Sequence, residues 1–226
     1  MTITERTMEK TAKTEIKREY HTAGELRVRE TPEGEVPGRT IEGYAILLDT
    51  PSAPLYDDGD EELREIIDRG AVSKELLDGS DIKFTMFHDR QLLLARSKQG
   101  SGTLSYTLDE KGVKFSFEAP HTPDGDKALE LVRSGIIDGC SFAFTTHYYD
   151  EAYVERTVKR ENGKTVITCR VKVITGIYDM TITPDPAYPA TAVEARELAS
   201  GLGQEQKRGK DLRGYIREMR DAAKGL

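Results

Sequence analysis

Residues 103–119 read TLSYTLDEKGVKFSFEA. Apolar side chains alternate on both sides of the polar tetrad Asp109-Glu110-Lys111-Gly112, with Leu104, Tyr106 and Leu108 before it and Val113, Phe115 and Phe117 after it. A period of two sends one set of side chains to one face of a strand. Gly112 supplies the backbone freedom that a tight reversal demands. The stretch therefore predicts a β-hairpin, and short runs of the same kind recur outward from it: LRVRE (26–30), IEGYAILL (41–48), IKFTMFH (82–88) and CSFAFTT (140–146). GIYDMTIT (176–183) is a last strand candidate, running into Pro184-Asp185-Pro186, where proline stops ladder pairing. A second hairpin is expected where 153–159 and 165–174 flank Glu161-Asn162-Gly163-Lys164, because Asn-Gly is a strong reversal signal. One amphipathic helix is predicted over 123–134, with Ala128, Leu129 and Val132 on one stripe, acids early, Arg133 late and Gly135 as a stop. Many short strands with one or two helices predict a β-rich α+β domain, a barrel-like antiparallel sheet, closed or nearly so, ringed by a few helices.

The chain has 226 residues, 37% hydrophobic and 32% charged, enough for one sizeable core with solvated ends. The expected organisation is a loose polar extension over 1–13, one domain over 14–192 and a charged extension over 193–226, interrupted by Gly201, Gly203, Gly209 and Gly214. A formal net charge of −7 argues against a free nucleic-acid binder, which needs a concentrated basic face. The two cysteines, Cys140 and Cys169, are too few for a disulfide framework and lack metal-ligand spacing, which fits a reducing cytoplasm. The first twenty residues hold no apolar run, so neither a signal peptide nor a membrane anchor is expected.

Of the four histidines, His21, His88, His121 and His147, only His88 ends an apolar strand and is followed at once by charge, in Phe84-Thr85-Met86-Phe87-His88-Asp89. A strand end can hold a side chain fixed and partly exposed; the bland alternative is a surface histidine. Ser141 lies in Gly135-Ile136-Ile137-Asp138-Gly139-Cys140-Ser141-Phe142, where a helix ends, two glycines permit a tight path and a strand begins. A nucleophilic serine needs such a place, with a base in hydrogen-bond reach and backbone N–H groups for an oxyanion. The bland alternative is a turn serine. Strand alternation turns Cys140 away from whatever face Ser141 addresses, so Cys140 reads as a small buried residue.

The MFHD context of His88, the glycine-spaced stretch into Ser141-Phe142, the opening Glu42-Gly43-Tyr44-Ala45, Arg69-Gly70-Ala71-Val72 and the segment Asp185 to Ala190 follow one another in an order that resembles the HK97-type phage prohead serine proteases. The resemblance spans roughly 41–192. It implies a fold like that of the herpesvirus capsid assembly proteases, with His88 as general base and Ser141 as nucleophile. It implies Asp179, in the strand before the proline-rich segment, as the third member; the herpesvirus enzymes use a second histidine, which keeps His147 as an alternative. The implied activity is that of a serine endopeptidase without metal or organic cofactor. Its implied substrates are the scaffolding region of the phage major capsid protein and the protease itself, inside the procapsid in the host cytoplasm. A homodimer is implied by the same analogy. Two rival readings stand beside this one. One is a non-enzymatic β-barrel module docking on capsid or scaffold, and the other is a small-molecule esterase using the same serine.

Overall fold

The computed structural model describes residues 16–22, 25–32 and 37–184. The expected extensions 1–13 and 193–226, and the proline-rich segment after Pro184, lie outside the described residues. In chain order the elements are β1 (Ile16–Thr22), β2 (Arg27–Val28), β3 (Thr40–Leu47), β4 (Tyr56–Asp57), β5 (Glu61–Ile67), α1 (Lys74–Gly79), β6 (Asp81–Met86) and β7 (Asp89–Lys98). They continue with β8 (Ser101–Gly102), β9 (Ser105–Leu108), β10 (Gly112–Glu118), α2 (Pro123–Arg133), β11 (Gly139–Thr146), β12 (Val154–Glu161), β13 (Lys164–Val171) and β14 (Gly176–Thr183).

The strands form three sheets, ordered β1-β11-β14-β6-β7-β8, β2-β3-β10-β9 and β12-β13-β5-β4. The chain is β-rich α+β as the alternation predicts, but it is not a closed barrel. Closure requires the two ends of a sheet to pair with each other, and here β1 and β8 end the six-stranded sheet without doing so. The sheets are also mixed. β14 lies parallel to β6, and β13 lies parallel to β5. Local alternation reveals hairpins, which are antiparallel; it carries no information on pairs joined by long crossovers. Two helices, not a ring of them, accompany the sheets among the described residues.

Both predicted hairpins form. β9 and β10 pair with Phe115 opposite Tyr106, and β12 and β13 pair up to Glu161 opposite Lys164, leaving Asn162 and Gly163 as the reversal. α2 starts where Thr122 caps Gly125 N–H through its hydroxyl, with proline in the first turn, and ends where Gly135 takes φ 67°. The core gathers on one face of the six-stranded sheet. Phe84 of β6 packs its ring 4.5 and 4.6 Å from those of Phe115 and Phe117 on β10, and Cys140, Phe142 and Phe144 of β11 join the same apolar cluster.

Two of the short motifs of the resemblance, Glu42 to Ala45 and Arg69 to Val72, have structural roles. Glu42 is buried and held by Arg27 and Arg29, its nearest oxygens 2.8 and 2.6 Å away, and these guanidiniums, Arg29 foremost, keep its carboxyl below the usual range. A side chain on Gly43 would press within 3.0 Å of the Glu25 carbonyl. Ala71 and Val72 are core residues, and Arg69 reaches Asp49.

Candidate active site

β11, Gly139–Thr146, is buried along its whole length, so its alternation sorts two interiors rather than core from solvent. Cys140, Phe142 and Phe144 point into the apolar cluster, where the last two rings stack 5.1 Å apart. Burial pushes the Cys140 thiol up, so it stays protonated and inert as a nucleophile. The intervening residue, Ser141, faces the opposite side of the sheet.

Register decides what Ser141 meets there. On its neighbour β14, Ser141 is aligned with Thr181 and Ala143 with Asp179; on the next strand β6, Thr181 is aligned with Thr85 and Asp179 with Lys83. Aligned residues share a face, so Ser141, Thr181, Thr85 and Asp179 lie on one surface, with the carboxylate two residues along from the hydroxyl. An imidazole is long enough to bridge that offset.

The imidazole arrives from the reversal between β6 and β7. Met86 is paired with Asp89, which leaves Phe87 and His88 as a two-residue turn with φ of 58° and 56°. His88 therefore sits in the turn itself rather than at the strand end that its sequence context predicts. Positive φ at both central residues is the signature of the hairpin turn whose twist matches the flanking strands, and glycine or asparagine normally fills it. Phe87 N–H donates to the Ile182 carbonyl at 3.1 Å, and His88 N–H donates to Thr181 Oγ1 at 3.0 Å. The Thr181 hydroxyl donates in turn to the Thr85 carbonyl at 2.9 Å and accepts from the Thr85 hydroxyl at 3.1 Å. Phe87 itself projects outward, 42% exposed.

From this turn the His88 ring reaches back over the sheet. Its Nδ1 lies 2.7 Å from Asp179 Oδ1, and its Nε2 lies 2.8 Å from Ser141 Oγ. A carboxylate only accepts, so Nδ1 carries the ring proton and Nε2 presents its lone pair to the Ser141 hydroxyl. The structure thus brings together His88, Ser141 and Asp179, which are separated by 53 and 91 positions in the chain. His147 is placed elsewhere: it follows the end of β11 and packs edge-on against Tyr153 at 4.5 Å, while the carboxylate of Asp179 occupies the Nδ1 side of His88.

Both partners of the ring are withdrawn from bulk solvent. Ser141 is fully buried and Asp179 is 3% exposed. The other edge of β11 is covered by β1, antiparallel, with His21 opposite Ser141. The amides near Ser141 expected to serve an oxyanion therefore belong to a strand paired on both edges. Among the described residues no group of three His, Cys, Asp or Glu side chains is placed to hold a metal ion. No described helix is long and apolar enough to cross a membrane.

A hydroxyl, an imidazole and a carboxylate in this order can pass a proton from the hydroxyl to the ring while the carboxylate holds the ring's tautomer and stabilises the imidazolium. Comparison with known proteins bears on the same stretch. The model of a family described as caudovirus prohead serine protease matches residues 25–203. Among solved structures, the bacteriophage T4 capsid assembly protease is similar at 12% identity, covering 73% of this chain and 97% of its own, with a TM-score of 0.36. No curated protein matches the sequence.

Proposed function

Because the chain belongs to the caudovirus prohead serine protease family, we propose that it is a serine endopeptidase of procapsid maturation in which Ser141 is the nucleophile, His88 the general base and Asp179 the residue that orients the imidazole. The observation that carries this reading is the 2.8 Å contact from Ser141 Oγ to His88 Nε2, made while Asp179 holds Nδ1. The serine hydroxyl adds to the scissile carbonyl carbon as His88 takes its proton. The tetrahedral adduct then expels the amine, which receives that proton, leaving an ester on Ser141. A water deprotonated by His88 hydrolyses the ester and restores the hydroxyl.

The substrates of this reading are the scaffolding region of the major capsid protein and the chain itself, cleaved inside the assembling prohead in the host cytoplasm. Residues 1–13 and 193–226 are the segments of this chain offered for processing, since polar ends are where proteolysis concentrates. A fluorophosphonate probe tests the proposal together with the intact mass of the purified chain. Labelling at Ser141 with discrete self-truncation, both lost in Ser141→Ala, is the expected result. A wild-type chain that stays whole and takes up no probe would return the protein to a non-enzymatic capsid-associated module, and ester turnover without peptide cleavage would favour a small-molecule hydrolase.

A further inference from the structure

The β6–β7 reversal uses two residues unsuited to it. Phe87 and His88 both stand at positive φ, a region that sterics disfavour for a residue with a Cβ. The turn persists because something outside it holds it. The neighbouring strand does so with two successive contacts: the Ile182 carbonyl takes Phe87 N–H, and the Thr181 hydroxyl takes His88 N–H. We infer that Thr181 is a positioning residue of this site, whose buried hydroxyl clamps the His88 backbone in the one conformation that lets the ring span Asp179 and Ser141. The inference rests on the protease reading and deepens it.

The bonding of Thr181 supports a dedicated role. A hydroxyl donates once and accepts twice at most. Thr181 uses all three capacities, donating to the Thr85 carbonyl and accepting from Thr85 Oγ1 and from His88 N–H. Thr181 and Thr85 expose no surface, so bulk water does not stand in for a lost partner. The donor direction matters too. The Thr85 carbonyl, at 2.9 Å, is the nearer acceptor for the one hydroxyl proton, the Ile182 carbonyl lying at 3.4 Å, and with the proton on the Thr85 side the lone pairs are left for the Thr85 hydroxyl and the His88 amide. Asp179 precedes Thr181 by two residues on the same face of β14, so a single strand carries both the carboxylate that orients the ring and the hydroxyl that anchors its backbone, at a spacing the pleat keeps rigid. A displacement of the ring by about 1 Å is enough to lower a rate by roughly two orders of magnitude.

The test compares Thr181→Val, which keeps the branched shape and removes the hydroxyl, with Thr181→Ser, which keeps the hydroxyl, in the full chain. Fluorophosphonate labelling of Ser141 is expected to slow by about 10- to 100-fold in Thr181→Val and to recover in Thr181→Ser to within a few-fold of wild type. A melting temperature confirms that each variant is folded. Should Thr181→Val not fold, Thr181→Cys takes its place, and its weakly accepting thiol is expected to label at a rate between those of wild type and Thr181→Ala. A second arm needs no activity: in a Ser141→Ala background, amide hydrogen exchange at His88 is expected to quicken about tenfold or more on Thr181→Val and to stay slow on Thr181→Ser, as loss of a buried acceptor frees the opening of that N–H. Labelling of Thr181→Val at the wild-type rate, or of Thr181→Ser as slowly as Thr181→Val, overturns the inference. If the wild-type chain takes no label at all, the protease reading falls, and unchanged exchange at His88 then removes the clamp as well.

Discussion

Two reversals in this molecule have the same backbone and opposite chemistry. Between β12 and β13 the chain turns at Asn162 and Gly163, with φ of 50° and 86°; between β6 and β7 it turns at Phe87 and His88, with φ of 58° and 56°. Asparagine and glycine take that conformation readily. The first turn is what the two strands would choose by themselves, and it projects over open space, with nothing within 4 Å of where a Gly163 side chain would be. The second is held by acceptors on β14 and carries the imidazole. On the proposed protease reading, strain sits where the side chain takes part in the chemistry and is absent where the turn only reverses the chain, which is how a rigid β framework can fix a group at a defined point.

Exchanging the properties of the two turns tests this contrast. Removing the ring by His88→Ala is expected to lower peptide cleavage and probe labelling by up to about a million-fold, as for loss of a base that acts as one unit with its nucleophile, whereas Gly163→Ala leaves labelling unchanged. Asp179→Asn keeps the ring but admits the wrong tautomer, and it should reduce turnover about 10⁴-fold with little change in the melting curve; an effect under tenfold would mean that the carboxylate does not orient His88. Writing the strained residues into the relaxed turn, Asn162→Phe with Gly163→His, should destabilise the fold by about 2–3 kcal/mol in urea titration without altering the labelling rate. Its opposite, Phe87→Asn, relieves one of the two strained positions and is expected to stabilise by about 1 kcal/mol while His88 keeps its place. A loss of stability there would show that the Phe87 ring holds more than the turn disfavours.

What could be read from the chain beforehand follows the same division. The hairpins over 103–119 and around Asn162-Gly163 are local, so alternation and turn chemistry sufficed, and β14 has the bounds that GIYDMTIT predicts. His88 and Ser141 were legible as candidates through the order of short motifs, and the structure sets them at 2.8 Å. The conformation of His88 was not legible, because Phe-His has no preference for positive φ and acquires it from contacts 93 positions away. β5 was also missed. Its sequence EELREII buries Glu62 and Glu65, and buried acids hide a strand from any reading based on apolar alternation. Glu62 is paired there with Arg64 and Lys164, and Glu65 N–H donates to Ser52 Oγ. Nothing in the residues signals that β5 and β6 have parallel partners about a hundred positions downstream, so the open, mixed sheets are a property of the tertiary fold that local sequence does not carry.

The position of β14 has a consequence for the birth of the protein. It is inserted between β11 and β6, so the strand that bears Ser141 and the hairpin that bears His88 gain a shared hydrogen-bonded neighbour only once residues 176–183 are in place. A ribosome delivers the imidazole first, the hydroxyl next and this central strand last. While it is still being translated, the chain holds the His88 imidazole and the Ser141 hydroxyl with no shared strand to align them, and the three groups of the proposed centre meet only once residues 176–183 have emerged.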